Sequence, residues 1–297
     1  MTPRASRIGI VVTDTYSPED PDHDTPLLLT ALQTRGLDAE AVVWHRDTDL
    51  AAYDSLVIRS PWDYPERADE FARWLTRAAS ASAVHNDPDI IRWNLDKQYL
   101  GELEQAGVRV VPTVYCRTAA DATAALAAHV GGAVVVKPAV SAGARDTGLF
   151  DAADPQAQQL AERIIRAGGV AMIQPEIAEL TAGREKALYA IDGHFTHAIA
   201  KGALLAHGGG LRGGVYVENP VPVEATDAER QFADDVLRAV VAVTGRPMPL
   251  YARIDTVDSA AHGLVLLEAE LIEPALNLHV VPHVTELVAD AILRVAG

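Results

Sequence analysis

The 297-residue chain contains a single cysteine, Cys116, so no disulfide can form within it. A cysteine nucleophile normally needs a nearby base, such as histidine, to become a thiolate. No histidine lies close to Cys116 in the sequence, and we therefore expect an ordinary strand or loop residue there. A charged and apolar leader is also missing at the N-terminus, which favours a cytoplasmic protein over a secreted one.

Long apolar runs are missing as well, since none reaches the roughly 18 residues that a bilayer crossing needs. Basic residues are few: 25 Lys and Arg stand against 41 Asp and Glu, giving a net charge of −16. So acidic a surface repels nucleic acids and anionic membranes, and we expect neither as a partner. Any polyanionic ligand must then bind in a locally basic pocket.

Three motifs of common enzyme classes are absent. The first predicted strand ends at Asp14 without a following G-x-G-x-x-G, which disfavours a Rossmann-type oxidoreductase. The G-x-x-x-x-G-K-[ST] order of a P-loop does not occur. No convincing Ser/His/Asp or Cys/His set is present, so we expect no side-chain nucleophile. Pro282 separates His279 from His283, and we do not expect a zinc site there.

Apolar runs and helical patterns alternate over about the first 90 residues, starting with a strand-like run at 7–13 and a helical pattern at 24–35. Such alternation predicts a parallel α/β lobe. In the middle of the chain, residues 94–106 predict one helix and residues 133–137 a buried strand. The middle therefore predicts a small α+β lobe, and a hairpin with a second strand pair is predicted after it.

The most informative stretch is LLEAELIEPALNL, residues 266–278, in which Glu268, Glu270 and Glu273 interrupt an apolar strand. Buried carboxylates are costly unless something pairs with them. Strand alternation places Glu268 and Glu270 on one face and Glu273 on the other. Antiparallel pairing with the preceding strand brings Asp255 opposite the first two. Three carboxylates on one face suit Mg²⁺, and a solvated sheet face is the alternative.

Opposite charge is available in AVVVKPAVSAGARDTGLF, residues 133–150. Lys137 ends the buried strand, and the small residues Ser141, Ala142 and Gly143 follow it. Small side chains let backbone N–H groups approach a phosphate closely. Taken alone, the pattern is equally compatible with an ordinary exposed lysine beside a loop.

Four stretches occur in an order that resembles the ATP-grasp superfamily, closest to its glutathione-synthetase-like branch. They are RWNLDKQYL with Lys97, VVKPAVSAGARDT with Lys137, QPEI and LLEAELIEP. The resemblance covers about residues 87–278. It implies an α/β and α+β ATP-grasp fold, in which two lobes grip ATP behind an N-terminal domain. The implied units are an N-terminal parallel α/β domain (1–92), a central small lobe (93–178) and a C-terminal lobe with the metal site (179–297).

The resemblance also implies a site, with two lysines and the small-residue loop on the ATP phosphates, QPEI on the adenine and an acid on the ribose. The residues implied to bind ATP are Lys97, Lys137, Ser141, Ala142, Gly143, Gln174, Pro175, Glu176, Ile177 and Glu185. Those implied to bind Mg²⁺, as two ions with Mn²⁺ as an alternative, are Asp255, Glu268 and Glu270. The family commonly has asparagine where this chain has Glu270, which adds a negative charge.

Residues 202–214 hold six glycines and resemble a mobile loop that closes over the phosphates. A flexible surface loop is the alternative. Arg212 and the preceding Lys201 are implied as catalytic residues that meet the substrate carboxylate or the transferred phosphoryl group. The loop is shorter after Arg212 than in relatives, which leaves the role of that arginine open.

Substrate contacts are expected from the N-terminal lobe, because α/β lobes bind ligands at the carboxyl ends of their strands. Asp14, Tyr16 and Arg59 stand at such positions, and Arg59 is suited to clamp a carboxylate. Packing of a loop is the alternative for the aromatic residues that follow Arg59. Glu273 either holds its turn or meets the substrate.

The resemblance implies an ATP- and Mg²⁺-dependent ligase that phosphorylates a carboxyl or ureido group of an amino-acid-derived small molecule, after which an amine displaces phosphate. The D-cycloserine synthetase type, which cyclises O-ureido-D-serine in antibiotic biosynthesis, is one specific interpretation. Ligation of two separate substrates is an alternative, as is a non-catalytic nucleotide-binding regulator. The three carboxylates favour catalysis, and a homo-oligomer is compatible with the sequence.

Overall fold

The computed structural model of the chain describes residues 6–15, 21–141, 143–212 and 219–296. Three of the residues or segments singled out above lie wholly or partly outside these ranges: Tyr16, Ala142 and the last two positions of the 202–214 loop. Among the helices in the described ranges, none combines the length and the apolar character that crossing a membrane requires.

The first sheet is parallel, with the strand order β2-β1-β3-β4. Its first strand is buried along nearly its whole length because both faces of the sheet are covered. This arrangement confirms the parallel α/β lobe predicted for the first 90 residues. Its elements are β1 (Arg7–Val12), α1 (Asp24–Thr34), β2 (Asp38–Val43), β3 (Ser55–Ser60), α2 (Ala68–Ala81), β4 (Ala83–His85) and α3 (Pro88–Asn94), with 3₁₀ turns at Leu50–Ala52 and Tyr64–Arg67.

The second sheet is antiparallel, in the order β5-β8-β6-β7, and two helices, α5 and α6, cover one of its faces. Alternate residues of its central strand, Val134 and Val136, are fully buried under these helices. The elements are α4 (Tyr99–Gln105), β5 (Val114–Cys116), α5 (Ala119–Ala127), β6 (Ala133–Pro138), β7 (Gly148–Asp151), α6 (Pro155–Arg166) and β8 (Ala171–Pro175). The central α+β lobe is therefore present.

The single helix expected over residues 94–106 is wrong. The chain leaves α3 after Asn94, and α4 begins only at Tyr99. In the gap the Asp96 side chain accepts a hydrogen bond from the Gln98 amide at 2.9 Å, and the Lys97 amide donates to the carbonyl of Ala139 at 2.9 Å. These bonds replace helical ones and fix Lys97 against the loop that follows β6.

The third sheet has the order β11-β10-β9-β12-β13, with antiparallel neighbours throughout. Asp192 and Gly193 both have positive φ at the predicted hairpin turn, as a type I′ turn requires. Thr226 and Glu229 form a capping box at the start of the long helix. The elements are α7 (Ala178–Thr181), β9 (Glu185–Ile191), β10 (His194–Lys201), β11 (Val221–Val223), α8 (Asp227–Thr244), β12 (Tyr251–Ser259), β13 (Gly263–Glu270) and α9 (His283–Ala296).

The last helix, α9, contacts its own sheet and also packs beside α1 of the first lobe. Leu28 of α1 and Val284 and Ile292 of α9 share one buried cluster with Ile8 of β1. The three sheets follow the order of the three predicted units, and the boundaries 1–92, 93–178 and 179–297 stay predictions. The contact between α1 and α9 joins the first and the last of these units.

Candidate active site

One cavity is lined by residues from all three units, and it gathers most of the residues singled out in the sequence. The predicted residues that line it are Lys97, Lys137, Ser141, Gly143, Gln174, Pro175, Glu176, Ile177, Glu185, Lys201, Asp255, Glu268, Glu270 and Glu273. Asp14, Arg59 and Arg212 are described by the structure but are not among the lining residues. The charged walls of this cavity make it the candidate active site.

The acidic wall is built by two neighbouring strands. In the register of β12 and β13, Asp255 lies opposite Glu268 and Arg253 lies opposite Glu270. The buried Arg253 guanidinium binds Asp255 at 2.9 Å and also pairs with Glu270. In this structure the carboxylates are thus neutralised by basic side chains. Within the described ranges, no group of three or more His, Cys, Asp or Glu residues has a ready metal-binding arrangement.

The two inner carboxyls of this wall respond differently to burial. Burial raises the pKa of Glu270 to about 8, and the negative charges of Asp255 and Glu268 add to this rise while Arg253 opposes it. Burial also works on Asp255, but Arg253 and Lys201 outweigh it and hold the pKa of that carboxyl below its ordinary value. Asp255 is therefore the carboxylate most firmly fixed as an anion.

The backbone of the acidic strand is held by side chains at the end of α3 and the start of α4. The Asn94 amide donates to the carbonyl of Ala269 at 2.8 Å, and its oxygen accepts from the Leu271 amide at 2.9 Å. The Tyr99 hydroxyl bonds both the amide and the carbonyl of Ala269, at 2.8 and 3.0 Å. Because Ala269 separates Glu268 from Glu270, this clamp fixes the direction of both carboxylates.

The basic wall contains the two predicted lysines. Lys97 is 6 % exposed, and its ammonium donates to the Ser141 carbonyl at 2.6 Å and pairs with Glu268 at 3.1 Å. Within the part of the chain that the structure describes, the ammonium of Lys137 has no ion-pair or hydrogen-bond partner. Burial lowers the pKa of Lys137, and the nearby Lys97 lowers it further against the attraction of Glu268. An anion bound beside Lys137 offsets the free-energy cost of burying its charged ammonium.

The hinge segment Gln174–Ile177 closes another side of the cavity at the end of β8. The Gln174 side-chain amide donates to the Thr113 hydroxyl at 2.8 Å. The Gln174 side chain therefore supports the cavity wall. The Glu176 amide donates to the Ala133 carbonyl at 2.8 Å. The Glu176 N–H is therefore already used within the protein.

The described part of the glycine-rich loop lies across the central lobe. The amides of Gly208 and Gly209 both donate to the carbonyl of Leu149, at 3.0 and 3.1 Å. Gly209 has φ +95°, and a Cβ at this position would stand 2.7 Å from the Phe150 ring. Glycine is thus required there for both backbone angle and space.

The two basic residues predicted for catalysis in this loop are placed differently. Lys201 is buried in the cavity and donates to Glu185 at 3.1 Å and to Asp255 at 3.0 Å. Glu185, predicted for the ribose, therefore lies in the charge cluster beside Lys201. The exposed Arg212 donates to the carbonyls of Leu205 at 2.9 Å and Thr181 at 3.1 Å. The expectation that Arg212 meets the reacting groups does not agree with this placement.

The predicted carboxylate clamp at Arg59 also needs correction. Arg59 is 2 % exposed, donates to the Pro274 carbonyl and lies over the Tyr251 ring. Its Nη2 supports the segment after β13, while Nε and Nη1 are buried without a hydrogen-bond partner among the described residues. Asp14 pairs with Arg46 and with His45 at the edge of the first sheet, away from the cavity lining.

Glu273 was expected to face away from Glu268 and Glu270, and this expectation is wrong because β13 ends at Glu270. Beyond that point the alternation of a strand no longer applies, and Glu273 lines the same cavity as the other two. Its carboxyl interacts with the Tyr64 side chain, which lines the cavity too. The first lobe therefore reaches the cavity through Tyr64.

Arg253 is a cavity residue that sequence reasoning missed. The signal was present in YARIDTV, because residues two apart on a strand share a face and Arg253 stands two before Asp255. Asn94 was missed as well, and it carried no motif that marks a site, whereas Tyr64 lies in the stretch after Arg59 for which substrate contact and loop packing were both considered.

The fold and the cavity place the chain among the ATP-grasp ligases. A solved structure of the ATP-grasp ligase PsnB with its minimal precursor, Mg and ADP has the same fold, with a TM-score of 0.62 at 17 % identity over 97 % of this chain and 98 % of that chain.

Closer similarity identifies the family. The family model described as "D-cycloserine synthetase DcsG, N-terminal domain" matches residues 8–86. The cycloserine biosynthesis protein DcsG of Streptomyces lavendulae is 34 % identical over 269 residues, covering 86 % of this chain and 88 % of that protein. The crystal structure of D-cycloserine synthetase DcsG superposes with a TM-score of 0.90 at 29 % identity, over 98 % of this chain and 100 % of that chain. The chain belongs to the DcsG family, the type that was one specific interpretation of the ATP-grasp motifs.

Proposed function

We propose that this ligase uses ATP and Mg²⁺ to cyclise O-ureido-D-serine to D-cycloserine. The observation that carries the proposal is the cavity in which Lys97 and Lys137 face the Asp255, Glu268 and Glu270 wall, in a chain of the DcsG family. A cation wall opposite a carboxylate wall is what a metal–triphosphate complex needs on its two sides.

The nucleotide binds between the hinge and the basic wall. The Lys137 ammonium, unpaired within the described ranges, takes the phosphates together with Lys97 and the loop from Ser141 to Gly143. Charge-assisted hydrogen bonds of this kind are short and strong. Since the Glu176 N–H is used by Ala133, the adenine edge is met by the Glu176 carbonyl and the Ile177 N–H. Glu185 is retained as the candidate ribose contact.

The residues of the acidic wall suit Mg²⁺ in their chemistry, since all three donors are carboxylate oxygens on one sheet face. Asp255, Glu268 and Glu270 would hold the metal, and Lys97 and Arg253 would then release the carboxylates that they pair with here. When bound, Mg²⁺ neutralises charge on the phosphates during transfer. Two ions, with Mn²⁺ as an alternative, are proposed.

The ring of D-cycloserine is an amide between the carboxyl carbon and the nitrogen bonded to oxygen, so the carboxylate is the group to activate. Its oxygen attacks the γ-phosphorus of ATP, the bond to ADP breaks, and an acyl phosphate forms. Negative charge that develops on the transferring group is stabilised by Lys201 and by Arg253, which takes the role predicted for Arg212. The nitrogen then displaces phosphate, and atom balance requires water to remove the carbamoyl group as carbon dioxide and ammonia.

The test is ADP release with purified protein, ATP, Mg²⁺ and O-ureido-D-serine, with the product identified by mass spectrometry. We expect stoichiometric ADP and D-cycloserine, and much slower turnover of the L-enantiomer, which has the same functional groups. Equal ADP release with pairs of unrelated amino acids, without any cyclised product, would contradict the proposal and favour ligation of two substrates.

A further inference from the structure

Glu273 is a buried carboxyl of the cavity that lies outside the carboxylates assigned to the metal. It is 8 % exposed and follows β13 by three residues. The Trp62 indole donates to its carbonyl at 3.0 Å, and Arg59 donates to the carbonyl of Pro274. Two side chains of the first lobe thus hold the backbone at Glu273 and at the residue that follows it.

The Glu273 side chain shares the cavity with the Tyr64 side chain, and the interaction with Tyr64 lowers the pKa of the Glu273 carboxyl. Tyr64 is 4 % exposed, and burial together with the Glu273 charge raises its pKa well above the ordinary value. The phenol therefore keeps its proton and can donate. A carboxylate has two oxygens, so one tyrosine donor leaves acceptor capacity for a ligand in the cavity.

The surroundings of the Glu273 carboxyl hold its pKa near neutral pH. Burial raises the pKa of Glu273 to about 7; the interaction with Tyr64 and the charges of Lys97 and Arg253 oppose the rise, while Glu268 adds to it. A general base works best with a pKa near the working pH. The titratable and charged groups around Glu273 are Arg59, Tyr64, Lys97, Tyr251, Arg253 and Glu268.

We propose that Glu273 is the proton acceptor of the cyclisation step and that Tyr64 is its positioning residue. This inference rests on the proposed function. As the ureido nitrogen attacks the carbonyl carbon of the acyl phosphate, the C–N bond forms and the N–H proton passes to the Glu273 carboxylate. The C–O bond to phosphate breaks, and phosphate leaves with the electron pair. Of the other cavity carboxylates, Asp255, Glu185, Glu268 and Glu270 are paired with Lys97, Arg253 or Lys201, and Glu176 accepts from the Thr181 hydroxyl, which leaves Glu273 for this role.

The test separates the two half-reactions in the variant Glu273→Gln. Hydroxylamine, a free base at neutral pH, converts the acyl phosphate to a hydroxamate without needing an enzymic base. We expect D-cycloserine formation to fall by about 10²- to 10³-fold, the range of general base catalysis, while hydroxamate formation stays within about threefold of wild type. The control is Glu70→Gln, which changes a partly exposed glutamate of α2 that pairs with Arg67 outside the cavity and should leave both products unchanged.

The pH profile provides a second readout. Only the carboxylate form of Glu273 accepts a proton, so the rate of wild-type cyclisation should fall as the pH drops through about 7. The Glu273→Gln variant should lack this acidic limb of the pH profile. Tyr64→Phe removes an interaction that lowers the pKa of Glu273, so its limb should move to higher pH. Equal loss of both products in Glu273→Gln, or an unshifted limb in Tyr64→Phe, would overturn the inference. Wild-type protein that yields neither product would instead refute the proposed function itself.

Discussion

Replacing Glu268 by glutamine should lower ATP-dependent turnover by at least about 10³-fold, because the change removes one charge from the metal wall where the transferring phosphoryl group must be neutralised. Glutamine keeps the size of the side chain, and the clamp of Asn94 and Tyr99 holds the backbone on Ala269, not on residue 268. The fold should therefore survive. ADP release at saturating substrate measures the effect, and thermal unfolding checks the fold.

The matched control for this experiment is Asp258→Asn. Asp258 stands on the same strand pair as Asp255, but its side chain is exposed outside the cavity. The same loss of one carboxylate charge should change turnover less than twofold there. Turnover of Glu268→Gln within a few fold of wild type would refute the assignment of Glu268 to the metal.

Replacing Lys137 by methionine should raise the Kd of ATP by about 30- to 100-fold. This factor corresponds to about 2 to 3 kcal/mol, the size of a hydrogen bond to a charged group. Methionine keeps the apolar stem that packs in the wall and removes only the ammonium, which has no protein partner among the described residues. Because burial of this unpaired charge disfavours the folded state, the variant should be at least as stable as wild type.

The control is Lys186→Met, since the Lys186 ammonium pairs with Glu229 outside the cavity at 2.8 Å. It removes the same charge and should leave ATP binding unchanged. Titration calorimetry with a non-hydrolysable ATP analogue and Mg²⁺ measures both. An unchanged Kd in Lys137→Met would remove Lys137 from the phosphate wall.

The parts of the fold that the sequence predicted well are those set by local pattern. Alternation of apolar residues and the Asp192-Gly193 turn were enough for the hairpin, and the shared face of Glu268 and Asp255 followed from strand period together with antiparallel pairing of the two neighbouring strands. The order of motifs along the chain then predicted the ATP-grasp superfamily. Local pattern succeeds here because hairpin partners are neighbours in the sequence.

The parts that were missed depend on contacts between distant segments. The break around Lys97 arises from a hydrogen bond to Ala139, and the burial of Arg59 arises from Pro274, which lies more than 200 residues away in the chain. The local sequence pattern does not indicate which strand ends line the cavity. Glu273 was misplaced because the end of a strand is the least predictable of its positions, and alternation was extended beyond it.

The most direct test of the central claim is a crystal structure with a non-hydrolysable ATP analogue and Mg²⁺. The account predicts phosphate oxygens bonded to the ammonium groups of Lys97 and Lys137, with Mg²⁺ between them and the carboxylates of Asp255, Glu268 and Glu270. Arg253 should then have released Glu270. A nucleotide bound elsewhere, or acids still paired with Lys97 and Arg253 and without metal, would contradict it.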